Sequence, residues 1–192
     1  IPGTFVTPNR IIAYIVSAHD DIPIDDKERL AKAFIIDNSR SYYADPRFGL
    51  IALNEIASRS LSPGINDPGT AISILNSYVK LFHLWFSKAE ITPSSEVKYD
   101  RIEVPAIETS DLFNDAFRPI ARDGANNIEV MIRMQKALTS IYTTVPDNEK
   151  QVVVNSSQEA YERAALALEY KGDLEQLKEV SLHFNVGALP GQ

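Results

Sequence analysis

Residues 45–71 read DPRFGLIALNEIASRSLSPGINDPGTA and hold two Asp-Pro steps, Asp45-Pro46 and Asp67-Pro68, each leading into a helical apolar pattern. Aspartate is a strong N-cap because its carboxylate accepts the unpaired backbone N–H groups of a first turn. Proline suits the next position, where its missing N–H has no partner to lose. Between the two starts, Leu61-Ser62-Pro63-Gly64-Ile65-Asn66 sets two chain breakers beside a large apolar residue. The stretch predicts a helix, a rigid turn and a second helix. Gly64 after Pro63 predicts a type II turn with positive φ at the glycine. Ile65 is expected to be buried, and the Asn66 amide to find backbone partners, so that the turn fixes how the two helices cross. Gly49, early in the first helix, predicts the close approach of a neighbouring element.

The second of these helices, Pro68 to about Lys88, is the strongest in the chain. Its stripe is Ile72, Leu75, Val79, Phe82 and Phe86, widened by Ile74, Tyr78, Leu81 and Trp85. A helix apolar over so much of its circumference is central or packs on two sides. Because Trp85 and Phe86 exceed what one core readily covers, a homo-oligomer is expected. Upstream, a helix from about Asp26 to Tyr42 is predicted, capped by Asp25 or Asp26, with Leu30, Ala31, Phe34 and Ile35 facing inward.

Downstream, Glu90–Asp100 reads as a polar loop, and the alternation Arg101-Ile102-Glu103-Val104 predicts a short strand. Ser110 is expected to cap a helix carrying Leu112, Phe113, Ala116, Phe117 and Ile120. Asn126 or Asn127 caps the next, with Met131, Met134, Leu138 and Ile141 on one face. A long helix then runs from Val145-Pro146-Asp147 to about Lys171. Gly172-Asp173 separates it from a last helix containing Leu174, Leu177 and Val180. At the start of the chain, Phe5-Val6 and Ile11–Val16 flank Thr7-Pro8-Asn9 and predict a β hairpin. No lysine sits at that turn, so a swinging-arm attachment site is not expected.

The resulting reading is a mainly α protein of about seven helices, with a small N-terminal β hairpin and a short strand near 101–104. Its organisation is a β element at 1–18, a helical domain at 19–185 and a frayed tail at 186–192. With 192 residues, 44% of them apolar, the chain suffices for one packed core. A net charge of −7 argues against nucleic acid, whose phosphates favour clustered Lys and Arg. The absence of cysteine excludes disulfides, thiolate metal sites and cysteine nucleophiles. No apolar run approaches the ~18 residues of a spanning helix, and Ile1 suggests a fragment of a longer chain.

His19, His83 and His183 are isolated from one another, so no metal site and no resident cofactor are expected. Ser62-Pro63-Gly64 is no nucleophile elbow, which needs glycines on both sides of the serine. Asp45 and Asp67 read first as helix caps. With Asn66 and Glu55 they also form an oxygen-ligand set for a hard cation such as Mg²⁺ or Ca²⁺. Arg40, Arg47 and Arg59 beside two helix N-termini would instead suit a small anion or polar ligand. Arg59 has an ordinary reading too, as an ion-pair partner of Asp45 or Asp67. The residues carried forward for ligand binding are Arg40, Asp45, Arg59, Asn66 and Asp67, with no catalytic assignment.

The 45–71 stretch resembles the signature DPxFGxxxLxDIAxRALSPGINDPxTA of the DUF2254 family of predicted bacterial membrane proteins. It departs at Asn54-Glu55, Ser60 and Gly69 and keeps both Asp-Pro steps. PGTFVTPNRIIAYI is similar to that family's PGxFVxxGxPL, with Asn9 in place of glycine. RIEVPAIETSDLFNDAFRPIARDGANN is similar to its VxVPxxxFxxYxDxAFxxIRxYGxxxP. The resemblance implies a transmembrane part of a few helices, followed by an extramembrane region that this chain represents. It also implies a bacterial inner membrane and transfers no reaction. An even number of spans places both ends of such a region on one face, taken here as cytoplasmic. The expected role is a regulatory, ligand-sensing or assembly module that partners its own transmembrane region. The alternative is a metal-assisted hydrolase or other enzyme using Asp45, Asn66 and Asp67.

Overall fold

The computed structural model describes residues 1–16, 22–43, 45–89 and 101–188, omitting side chains at 88, 89 and 188. Among the described residues there are eight α-helices: α1 (Ile24–Ala31), α2 (Pro46–Ser60), α3 (Pro68–Ala89), α4 (Thr109–Asp123), α5 (Ile128–Tyr142), α6 (Lys150–Ala167), α7 (Lys171–Val180) and α8 (Leu182–Asn185). Short 3₁₀ turns precede α6 and follow α8. Helices α2 to α6 pack in a closed circuit, α2 on α4, α4 on α6, α6 on α5, α5 on α3 and α3 back on α2. The space they enclose is aromatic and aliphatic. The Phe82 ring centroid lies 4.6 Å from that of Phe113, to which it is tilted, and 5.7 Å from that of Phe117, on which it stacks. Leu75, Met131, Met134, Leu138 and Ile141 are fully buried around them. Helices α7 and α8 close one side against α5 and α6.

The predicted β elements are corrected. No strand occurs among the described residues: 1–16 and 101–104 are irregular, and their large apolar residues are mostly exposed. A β-branched run forms a strand only when a second edge completes its backbone bonds, and neither segment meets one. The helix expected over 26–42 stops at Ala31. It has no buried residue, and short helices need tertiary packing to persist. Pro23 occupies its N-cap position and makes no side-chain cap, while Asp25 and Asp26 lie in the first turn. Likewise Glu108, not Ser110, precedes α4, and Gly172 lies inside α7 rather than ahead of it. The expectations for His19, for the 90–100 loop and for the end of the tail fall outside the described residues.

Helices α2 and α4 run in the same direction. Arg47 meets Asp111 and Asp115 near the start of both, and Leu61 lies against Gly124 at their ends. Pro119 sits inside α4. A proline supplies no N–H to the carbonyl four residues back, which here belongs to Asp115. Asn54 of α2 fills the vacancy, its Nδ2 donating to the Asp115 carbonyl at 2.6 Å. Tyr78 of α3 ties the other side of α2, donating its hydroxyl to the Leu50 carbonyl at 2.9 Å. Burial pushes the Tyr78 hydroxyl well above its ordinary pKa, so it remains a donor throughout the physiological range.

Candidate functional site

The residues singled out in the sequence do not form one site. Asp45 and Asp67 flank α2, and a helix of that length separates its ends by ~22 Å. Each carboxylate turns back onto its own helix. Asp45 accepts the Phe48 N–H at 3.1 Å, and Asp67 accepts the Thr70 N–H at 3.2 Å and the Thr70 hydroxyl at 2.6 Å. No group of three His, Asp or Glu side chains suited to a metal occurs among the described residues.

The two carboxylates differ in company. Asp45 is 3% exposed, and its Oδ2 receives both Nε and Nη2 of Arg40 at 2.7 Å. The Arg40 guanidinium lies over the Phe48 ring, 5.2 Å from its centroid, and Phe48 stacks on Tyr42. Asp67 is exposed, and the Thr70 hydroxyl, followed by the Thr70 backbone N–H, holds its carboxyl below the usual range. Arg47 is occupied by Asp115 and Asp111, with the Asp115 hydrogen bond the main force raising its pKa. Arg59 is exposed and makes no ion pair among the described residues, so the expected pairing with Asp45 or Asp67 is absent.

The corner after α2 is also corrected. Ile65 is 54% exposed, and the residue with positive φ is Asn66 at 50°, not Gly64. Asparagine tolerates the left-handed region better than most residues. The backbone bonds from Ile65 and Asn66 to the Ser62 carbonyl, and from Asp67 to the Ser60 carbonyl, hold the turn without a buried side chain. The Asn66 side chain has no hydrogen bond among the described residues, and the loop offers Ile65 and Asn66 to solvent.

The site that the sequence reading missed lies on the other side of α2. A cleft of about 780 Å³ opens between α2 and α3 at the start of α4. Leu50, Leu53, Leu81, Leu84, Trp85 and Leu112 form most of its wall, with Pro46 at one end. Gly49 borders it as well, but among the described residues nothing lies within 4 Å of where its Cβ would stand, so the close neighbour expected there is missing. The wide apolar face of α3 explains the cleft. Leu75, Tyr78 and Phe82 point into the core, whereas Leu81, Leu84 and Trp85 remain 42%, 51% and 39% exposed. Spacing alone revealed the width of that face, but not which part a neighbour covers. Among the described residues that line it no side chain is ionisable, so this wall suits apolar surface.

A second polar cluster joins α5, α6 and α8. Gln135 and Ser157 are fully buried. Gln135 Nε2 donates to the Ser157 carbonyl at 3.0 Å, which orients the amide so that its Oε1 accepts from Ser157 Oγ at 2.6 Å. The serine hydrogen being spent there, His183 Nδ1 at 3.0 Å must carry the proton that Ser157 Oγ accepts. His183 N–H also donates to Ser157 Oγ. A serine whose hydroxyl is donated to an amide and closed off from solvent is a structural junction and no nucleophile. Burial lowers the His183 pKa.

No helix among the described residues is long and apolar enough to cross a membrane. No curated protein and no solved structure matches the chain. A family model described as "Predicted membrane protein (DUF2254)" matches residues 1–140, a span that includes the N-terminal segment, the Arg40–Asp45 pair, the exposed corner and every wall residue of the cleft. The chain belongs to the DUF2254 family of predicted membrane proteins.

Proposed function

We propose that this chain is the extramembrane module of a multi-pass membrane protein, acting in regulation, ligand sensing or assembly at the cytoplasmic face of a bacterial inner membrane. Its working surface is the apolar cleft between α2 and α3, and the partner is an apolar helix face of its own transmembrane region. The cleft wall is the observation that carries this reading. Apart from the Trp85 indole N–H, the wall side chains among the described residues offer no hydrogen-bond partner, so an extended peptide laid there would leave most of its backbone groups unpaired, whereas a helix keeps its own bonds. Each large apolar side chain fully covered there contributes roughly 1.5–3 kcal/mol before the cost of ordering the interface. The family's description as a membrane protein supplies the class of partner. The alternative of a hydrolase built on Asp45, Asn66 and Asp67 has no comparable support, since α2 holds the two carboxylates apart.

The test is photo-crosslinking in the full-length membrane protein, with a photoreactive residue at Trp85 and, as control, at exposed Leu166. Adducts to the protein's own transmembrane segments from position 85 and not from 166 are expected. Adducts joining two copies through position 85 would replace this reading with homo-oligomerisation through α3. Adducts to lipid alone would overturn it.

A further inference from the structure

The two family-like motifs at opposite ends of residues 1–48 meet at one point. Gly3, from the PGTFV segment, has φ +77° and lies directly against the Arg40–Asp45 pair. A Cβ at residue 3 would collide with Asp45 Oδ2 and stand 2.6 Å from Arg40 Nε and Nη2. Only glycine permits both that φ and that approach.

Among the described residues, little else holds this segment. Its side-chain hydrogen bonds among the described residues are internal, Thr4 Oγ1 to the Ile1 carbonyl at 2.7 Å and Arg10 Nη1 to the Phe5 carbonyl at 3.0 Å. Phe5 and Tyr14 are 80% and 85% exposed, and in 1–16 only Val6 is as much as half-buried. The seat, by contrast, is held without the segment. Asp45 Oδ1 is fixed by the Phe48 N–H, Oδ2 by Arg40, and the guanidinium by the Phe48 ring. A seat with its own supports and a strap whose side chains are nearly all exposed make a reversible contact.

We propose that the Arg40–Asp45 pair is a latch for the N-terminal segment, with Gly3 as the point of engagement, so that residues 1–16 dock and release as a unit while α2–α8 stay folded. The latch borders the first turn of α2, whose Pro46, Gly49 and Leu50 reach the cleft. It therefore holds Gly3 close to that cleft, although the inference stands whether or not a helix binds there.

The chain has no cysteine, so two introduced ones give a unique pair of spin labels. Thr7→Cys and Glu55→Cys, both at exposed positions, report the distance between segment and body by pulsed electron spin resonance. The 192-residue chain is expected to give one narrow distance. Gly3→Ala and, separately, Arg40→Gln are expected to broaden it, with the helical melting midpoint moved by no more than a few degrees. A broad distribution in the parent overturns the latch, as do two variants as narrow as the parent. Loss of the helices together with the segment in both variants overturns it too, because the segment would then belong to the cooperative core.

Discussion

Two helices of this protein begin with the same Asp-Pro step and begin in opposite surroundings. At α2 the aspartate is buried, doubly engaged by Arg40 and covered by Gly3. At α3 it stands in solvent and is served from its own first turn, chiefly by Thr70. Local sequence decides that both residues cap. Distant sequence decides that one cap is also a joint between elements, because the chain brings residues 3 and 40 to Asp45 and nothing comparable to Asp67.

The comparison can be broken by substitution. Asp45→Ala removes the cap and strands the Arg40 guanidinium, and is expected to cost about 2–3 kcal/mol in denaturant unfolding. Asp45→Asn, which keeps an acceptor for Phe48 N–H, should lose distinctly less. Equal losses would mean that the ion pair contributes nothing beyond the cap. Within the helix that joins the two starts, Asn54→Ala leaves the Asp115 carbonyl without a donor and is expected to cost about 1 kcal/mol. The figure is at the low end because Asn54 Oδ1 is itself unpartnered and its removal gives some relief. An unchanged unfolding midpoint would show that water serves that carbonyl equally well.

At Asp67 the effect is smaller and has a pH signature. Its folded carboxyl titrates below the ordinary 3.8. The stabilisation is therefore present above the unfolded value and lost as pH falls through the depressed folded one. Thermal midpoints of the parent and Asp67→Asn should differ near neutral pH and converge in acid, once the pH has fallen through the depressed folded value. A gap that persists in acid would trace the difference to something other than the charge. Smallest of all is Ile65→Ser, expected within about 0.5 kcal/mol because the side chain already meets water. A loss near 2 kcal/mol would restore the buried corner that the sequence suggested.

That corner shows where reading the chain stops working. The α2 and α3 boundaries were legible to within a residue or so, since an N-cap, a proline and apolar spacing of three and four are local signals. The family was legible for the same reason. Burial of Ile65 was not, because an isoleucine between breakers looks alike whether it is pressed into a core or offered to a partner. The β-like runs at 11–16 and 101–104 carry strand propensity, but a strand is made by its neighbour. The joint at Gly3 and the cleft beside Trp85 are both meetings of distant segments. The only trace of the cleft in the sequence was an apolar face on α3 wider than one neighbour needs.

Pro119 has a consequence for how the helices find their alignment. A regular helix shows its flank a repeating surface, and a partner displaced by one turn meets much the same ridges. The carbonyl of Asp115 interrupts that repetition. It is a single demanding acceptor, and only Asn54, two turns beyond the Arg47 that grips Asp111 and Asp115, meets it. Slip α2 by a turn in either direction and the acceptor goes dry while the arginine loses its fork. The proline thus acts as an index mark, converting a surface on which many settings are nearly equivalent into one with a single lowest setting.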